Sequence, residues 1–371
     1  MKNIIVIGAG ILGASTAYHL AKHGAHVTVI DRQDEGQATE AAAGIIGPWL
    51  AKRRNKAWYF LARNGAKYYP KLIEELKQHG EKNTGYTKVG LLSLHTDEQK
   101  LIEAEERALK RREDAPEIGD VKILTEQETT DRFPLLEDER FKSIYVSGAA
   151  RVNGSAVRNV LLRSAKKLGA TIRNGEAQLI HSNKRIHGVI VNGEHIEAEL
   201  VIAATGAWMN ELLAPLQITF GAHPQKAQIM QIEVPTIKTD LLPVVMPPNN
   251  QYILPFENHH MMIGATHETR AGFDPRVTAG GVHEILTKAL DIMPALANST
   301  VIRTKVGYRP FTPGSLPVIG ALPGFEGLLI ANGLGASGLT VGPYVGRELA
   351  TLAIGETIEL DLNDYDVAHA M

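Results

Sequence analysis

The sequence predicts an α/β protein in which a parallel-sheet domain is interrupted by an antiparallel-sheet α+β insertion. Three observations carry this prediction. An apolar strand, a glycine-rich turn and a helix follow one another at the N-terminus, alternating strand patterns dominate the stretch after Ala222, and an apolar strand returns at 328–331 ahead of a last helix. At 371 residues the chain is long enough for two compact domains, at about 150 residues each. Its 44% apolar and 22% charged composition excludes a disordered or fibrous chain. Lys plus Arg number 39 against 41 Asp plus Glu, a net charge of −2. That balance gives no general electrostatic reason to bind nucleic acid or an anionic membrane. The chain has no cysteine, which excludes disulfides, thiolate nucleophiles, Fe–S clusters, Cys-ligated zinc and any cofactor tethered through sulfur. A reducing cytoplasm fits this composition.

The N-terminal pattern is the most informative. Residues 4–7 read as a short buried strand, Gly8-Ala9-Gly10-Ile11-Leu12-Gly13 as the turn, and 14–22 as an amphipathic helix carrying Tyr18, His19 and Lys22. Gly24 ends that helix, and 25–30 form a second strand closing at Asp31. A Lys before an apolar run also resembles a signal peptide, but the glycines and the continuing helix argue that the segment stays in the mature protein. A lone GxGxxG is a weak signal; one set in strand, turn, helix and strand with an acid about 20 residues on is the Rossmann-like dinucleotide fingerprint. Gly8 permits the tight turn, Gly10 admits a pyrophosphate to the backbone, and Gly13 lets helix and strand approach. The helix N-terminus favours the diphosphate, and Asp31 can accept from both ribose hydroxyls. The motif alone leaves NAD and FAD both open.

Further along, Glu40-Ala41-Ala42-Ala43-Gly44-Ile45-Ile46-Gly47 is small enough for backbone to pass over a flat ligand, or for a short core helix. A helix is predicted over 58–79, with Trp58, Leu61, Tyr68, Leu72 and Leu76 as packing residues, then a strand over 90–94. Residues 98–114 read as a charged, solvated helix with Glu103 and Arg107 four apart. The cluster Lys110-Arg111-Arg112 is followed at once by Glu113-Asp114 and has no aromatic platform nearby, and Lys52-Arg53-Arg54 is too isolated, so neither carries a nucleic-acid signal. A helix over 153–167 and a strand over 169–172 follow. Strands at 176–180 and 186–191, an Asn192-Gly193 turn, and a buried strand at 200–204 before Thr205-Gly206-Ala207-Trp208 bring the first fold unit back. Strands at 226–234, 251–255 and 260–264 and a helix over 282–291 mark a candidate substrate domain. Gly335-Ala336-Ser337-Gly338-Leu339-Thr340 then leads into a final helix over 341–354, closed by Gly355. No stretch has 18 uninterrupted apolar residues, so no membrane span and no integral membrane contact are expected.

Four separated signatures, in order across nearly the whole length, make the chain resemble the flavin-dependent D-amino-acid oxidase superfamily. The likeness is to its glycine oxidase, sarcosine oxidase and D-amino-acid dehydrogenase branch. The signatures are the glycine turn with Asp31; Ala41-Ala42-Ala43-Gly44-Ile45; residues 201–208; and Gly307-Tyr308-Arg309-Pro310-Phe311-Thr312-Pro313 running to Leu316-Pro317-Val318-Ile319-Gly320. The resemblance implies a Rossmann-like FAD-binding domain with an inserted antiparallel-sheet α+β substrate domain, the first spanning 1–84, 142–215 and 306–371 and the second 85–141 and 216–305. It implies FAD contacts at Gly8, Gly10, Ile11, Leu12, Gly13, Asp31 and Arg32; along Thr39, Ala42, Ala43, Gly44 and Ile45; and at Ala177, Thr205, Gly206 and Trp208. Further contacts are implied at Gly307, Arg309, Gly335, Gly338, Leu339 and Thr340. Ile45 would border the substrate pocket. Arg309, read from its neighbours alone as a residue of a turn-rich segment, becomes the clamp for a substrate carboxylate, helped by Tyr252; a planar guanidinium fork suits that task.

Several positions depart from the family pattern. Thr312-Pro313-Gly314 stands where Thr-Pro-Asp is frequent, and Pro224-Gln225-Lys226-Ala227-Gln228 has Ala227 in place of glycine. Met262 occupies the position of the lysine that activates oxygen in sarcosine oxidases, and cysteinyl flavin attachment is impossible. The activity implied is FAD-dependent oxidation of glycine, D-amino acids or related N-substituted amino acids. Hydride passes from Cα to flavin N5 to give an imine, which water hydrolyses to a 2-oxo acid. A dehydrogenase using a quinone-type acceptor and a catalytically silent flavoprotein are the alternatives. The partners expected are a small-molecule amino acid or amine, oxygen or another electron acceptor, and, as one option, a second copy of the chain in a homo-oligomer. His223, His259, His260 and His267 are scattered, without metal-ligand spacing, so no metal is expected.

Overall fold

The structure, a computed structural model, describes residues 2–53, 55–137 and 139–371. Met1 and Arg54, which belong to the N-terminal run and to the Lys52-Arg53-Arg54 cluster, lie outside the described residues.

The N-terminal pattern folds as a parallel unit. Strand Asn3–Ile7 leads through Gly8 to helix Ile11–Lys22 and strand His26–Asp31. The two strands pair in parallel, and Leu200–Ala203 pairs in parallel on the other side of Asn3–Ile7. Leu328–Asn332 and Thr171–Asn174 extend this sheet in parallel, and Val318–Ala321 closes one edge antiparallel, giving six strands among the described residues. Near-continuous apolar runs suit strands covered on both faces. Helix Ile11–Lys22 departs from expectation: Tyr18 and His19 are 0% and 3% exposed, so it is buried on every side rather than amphipathic. The last helix, Gly338–Ile354, presses close enough that a Cβ on Gly342 would meet Ile11 at 2.9 Å and one on Gly346 would meet Ser15 at 2.6 Å.

A second sheet of eight strands runs in the order Thr300–Phe311, His223–Glu233, His260–Gly264, Tyr252–Pro255, Val244–Met246, Leu91–His95, Lys142–Val146 and Val121–Leu124. It is antiparallel apart from the Val244–Met246 and Leu91–His95 pair. Its membership does not follow the expected boundaries at 142 and 306, because Lys142–Val146 belongs to it and Thr300–Phe311 runs straight through 306. The segment around Arg309, read as turn-rich, is thus part of a twelve-residue strand. Pro310 is accommodated because this strand is the sheet's edge, where a missing N–H costs no ladder bond.

The helices mostly match their patterns. Lys56–Gln78, capped by Asn55, buries Trp58, Leu61, Tyr68, Leu72 and Leu76. Gly154–Lys167 and Ala279–Ile292 form where periodicity places them. Residues 40–47 form no core helix; they run as loop into the two-residue strand Ile45–Ile46. Asn192 and Gly193, with φ of 52° and 84°, make the tight hairpin turn between Arg185–Val191 and Glu194–Glu197.

Candidate active site

The glycine turn opens a long cavity of about 550 Å3. At its start, a Cβ on Gly8 (φ +99°) would sit 2.5 Å from the Ala204 carbonyl oxygen, and one on Gly13 only 1.9 Å from the Gly8 carbonyl oxygen. Gly8 and Gly10 therefore leave backbone bare at the cavity wall, whereas Gly13 stands behind it and lets the helix seat against the turn. Ile11 N at the helix start donates to Thr39 Oγ1 at 3.0 Å. Asp31 Oδ2 accepts from Ala9 N at 2.5 Å, and Oδ1 accepts from Gln33 N at 2.6 Å and Gln37 Nε2 at 2.8 Å. Arg32 donates to Asp34, Glu176 and Glu211 at 2.9, 3.0 and 2.8 Å, which closes the end of the cavity beside Ala177.

Along the middle, Thr39 to Ile45 cross the cavity close to the edge strand, where a Cβ on Gly307 would meet Ala41 Cβ at 2.6 Å. Gly44 (φ +91°) packs so tightly that a Cβ would lie 1.8 Å from the Val152 carbonyl oxygen. On the facing wall, Gly206 O accepts from Asn332 Nδ2, and Thr340 Oγ1 donates to Ile45 O at 2.9 Å. Gly335 to Thr340 bring the start of the last helix to the cavity, and Tyr69 Oη donates to Leu339 O at 2.6 Å to fix it there. Trp208 stacks on Phe273 with ring centroids 5.4 Å apart, and Tyr308 meets both rings edge-on.

At the far end the eight-stranded sheet supplies Arg309 and Tyr252. Gln225 lies opposite Arg309 in the ladder, and Arg309 Nη1 donates to Gln225 Oε1 at 3.2 Å and to His267 Nδ1 at 2.9 Å. An arginine N–H can only donate, so His267 Nδ1 is the acceptor and its ring proton sits on Nε2. Burial, then the neighbouring guanidinium, holds His267 below the ordinary imidazole range. Burial pushes the Tyr252 hydroxyl up to about 12, outweighing the opposing pull of Arg309, so it stays protonated. His267 sits on the 265–278 loop, which is anchored on the sheet's own ladder by buried Lys226. Lys226 Nζ reaches Asp274 Oδ2 at 3.2 Å and Glu268 Oε2 at 3.6 Å. Arg276 and Lys226 hold the Asp274 carboxyl well below the usual carboxylate range.

Every residue singled out in the sequence for cofactor or substrate lines this one cavity except Gly13. His267 and Gln225 were missed because their partner is far along the chain; the pattern Pro224-Gln225-Lys226 gives the only local hint. Met262 shares a sheet face with Tyr252, since Leu254 faces Met262 and Tyr252 faces Gly264. Among the described residues no group of three or more His, Asp or Glu side chains is placed to hold a metal ion.

Residues 3–352 match the DAO family, described as FAD dependent oxidoreductase. The chain belongs to the DAO family. This DAO-family chain is 56% identical, over the full length of both proteins, to the uncharacterized oxidoreductase YurR of Bacillus subtilis. It is 29% identical to a glycine oxidase of Pseudomonas aeruginosa, with 98% of each chain covered. In three dimensions it superposes on iminodiacetate oxidase IdaA from Chelativorans sp. BNC1 with a TM-score of 0.95, at 43% identity and 98% coverage of each chain. The protein is thus an FAD-dependent oxidoreductase. The cavity of this DAO-family enzyme suits FAD: bare backbone at Gly8 and Gly10 and the start of helix Ile11–Lys22 line one stretch of it, Asp31 lines the same stretch, and the remaining length reaches the Arg309 end. No helix of the described residues is long and apolar enough to cross a membrane.

Proposed function

We propose that the enzyme oxidises the Cα–N bond of small amino acids with a primary or singly N-substituted amine, glycine and N-carboxymethyl glycine among them. The observation that carries this reading is the pairing of the Arg309 fork with the protonated Tyr252 hydroxyl at one end of the cavity. Likeness to glycine oxidase and iminodiacetate oxidase supports it. Bound FAD supplies the two-electron acceptor. Arg309 binds the substrate carboxylate through parallel N–H bonds, and Tyr252 donates a further hydrogen bond to it. His267 and Gln225 set the guanidinium's orientation. These contacts fix Cα while leaving the amine facing the cavity, and positioning of this kind accounts for much of the rate. The carboxylates on the wall, Asp31, Asp34, Glu176 and Glu211, gather with Arg32 at the other end. The substrate amine therefore binds neutral rather than losing its proton to a carboxylate beside Arg309. The glycines at 8, 10 and 44 and the turn at 335–340 hold the dinucleotide, with Asp31 on its ribose. A cytoplasmic location belongs to the same reading, supported by the cysteine-free sequence, and cell fractionation tests it.

A second reading concerns the electron acceptor. Met262 replaces the lysine but does not line the cavity, so a quinone-type acceptor stands as the alternative to oxygen. The test serves both readings. Glycine, D-alanine, sarcosine and iminodiacetate are added anaerobically to the purified yellow protein, and loss of the oxidised flavin band is followed. The reduced protein is then mixed with oxygen or a soluble quinone. Bleaching by at least one carboxylated amine, with release of a 2-oxo acid, is expected. An unbleached flavin across the panel would sink the amino-acid reading, and fast reoxidation by oxygen alone would remove the quinone reading.

A further inference from the structure

A second cleft, of about 660 Å3, lies between helices Lys56–Gln78 and Glu98–Asp114. Its wall carries six cations, Lys52, Arg53, Lys56, Arg63, Arg107 and Arg111, against two carboxylates, Glu103 and Asp114. The sequence pattern pairs Glu103 with Arg107, yet no ion pair joins them among the described residues. The ion pairs around that helix lie elsewhere, at Lys100 with Asp97 and Lys142 with Glu98.

Two of these cations, Arg111 and Arg53, are held in place by uncharged groups. Arg111 Nη1 donates to Trp49 O at 2.6 Å and Ala51 O at 2.8 Å, and its guanidinium carbon lies 4.3 Å above the Tyr59 ring. The aromatic platform absent from the local sequence is thus supplied by another helix. Arg53 donates to Ser315 O at 2.5 Å and stacks 4.9 Å from the Trp58 ring. Carbonyl oxygens and ring faces orient a guanidinium but do not neutralise it. Two polar atoms among the lining residues, Tyr59 Oη and Arg107 Nε, are buried without a hydrogen-bond partner. Such orphaned donors are costly, and the half-buried guanidiniums of Arg53, Arg63, Arg107 and Arg111, with no ion pair to any of them among the described residues, leave a place for a counter-charge.

We propose that this cleft is a binding site for a small polyanion carrying two or more carboxylate or phosphate groups, separate from the FAD and substrate cavity. Its size falls in the range of small-molecule sites, roughly 300–1,000 Å3. Charge excess selects an anion, and several separated arginines select one with more than one anionic group, since each guanidinium can take an oxygen pair. The cleft adjoins the cofactor site through Trp58, whose Nε1 donates to Ser337 Oγ at 3.1 Å in the turn ahead of the last helix.

The test is calorimetric titration of the holoenzyme with citrate and, separately, with inorganic pyrophosphate at low ionic strength. One saturable site per chain is expected for at least one probe, weakening as salt rises. Saturation by citrate alone identifies a polycarboxylate ligand, and by pyrophosphate alone a polyphosphate. The double variant Arg63→Gln/Arg107→Gln is expected to weaken binding by about tenfold or more, with flavin spectrum and amino-acid turnover unchanged. Should that variant not fold, Lys52→Gln/Lys56→Gln at exposed positions serves instead. Failure of both probes to saturate, equal affinity in the variants, an equal loss in the distant control Lys77→Gln, or competition with the amino-acid substrate would each overturn the proposal.

Discussion

Arg309 Nη1 is engaged before any substrate arrives, held between Gln225 and His267. This makes the guanidinium a fixed fork rather than a swinging charge, and it separates two effects that substitution can resolve. Arg309→Leu removes the charge and is expected to cost about 2–5 kcal/mol in kcat/KM for a responsive amino acid. Arg309→Lys keeps the charge without the fork and falls between. Flavin occupancy stays near wild type in both, because the cofactor is held mainly along the rest of the cavity; kcat/KM and flavin content measured together check this. His267 acts through Arg309. His267→Ala is expected to raise KM several-fold, about 1 kcal/mol for one lost hydrogen bond, while kcat changes little. His267→Gln, which retains an acceptor, restores part of the loss. An equal fall in kcat and kcat/KM in His267→Ala would count against a positioning role. At this scale the sequence exposes Arg309 and Tyr252 only through family resemblance. His267 stays hidden among fourteen histidines, because what distinguishes it is a contact made by folding.

Elements were legible where their signal is local. Strand, turn and helix at the N-terminus are dictated by one short stretch, and each glycine there answers to a measurable contact. Gly13→Ala would drive a methyl group into the Gly8 carbonyl, so the turn must open. The expected outcome is loss of FAD on purification and a lower Tm. Gly280, in helix Ala279–Ile292, has nothing within 4 Å of where a Cβ would stand. Gly280→Ala should therefore stabilise by about 0.4–1 kcal/mol, by restricting the unfolded chain, with FAD content unchanged. Thermal unfolding and flavin absorbance of the two variants side by side test the contrast. Strand Thr300–Phe311 was illegible for the opposite reason. Gly307 and Pro310 signal a turn, but pairing with His223–Glu233 from His223 opposite Phe311 to Glu233 opposite Thr300 outweighs local preference. The charged helix Glu98–Asp114 was legible as a helix, yet its pattern did not reveal that Arg111 turns inward onto Tyr59.

Across the whole molecule, the chain's beginning and end meet on helix Ile11–Lys22, which is enclosed by the last helix and by Gly154–Lys167. The helix's polar residue His19 is thereby sealed in, its Nε2 2.9 Å from Tyr68 Oη. Burial, with smaller contributions from Lys22 and Arg347, lowers its pKa to about 3. The sign of the consequence is fixed by linkage. Unfolded, His19 takes up a proton near the ordinary value of about 6.5, while the native protein resists doing so down to about 3. Between those values the unfolded state binds more protons, so stability falls as pH falls, by up to about 1.4 kcal/mol per pH unit from this one residue. Above the upper value the contribution is complete and flat. His19→Gln keeps a partner for Tyr68 without a titrating group. It is expected to be less stable than wild type at pH 7.5, through altered packing, but to lose stability more slowly on acidification. The gap between the two proteins should therefore narrow as pH drops from 6.5 to 4.5. Denaturant unfolding of both holoproteins across that range checks it; parallel curves would mean that His19 takes up its proton without unfolding, and that the enclosure of the first helix opens locally in acid.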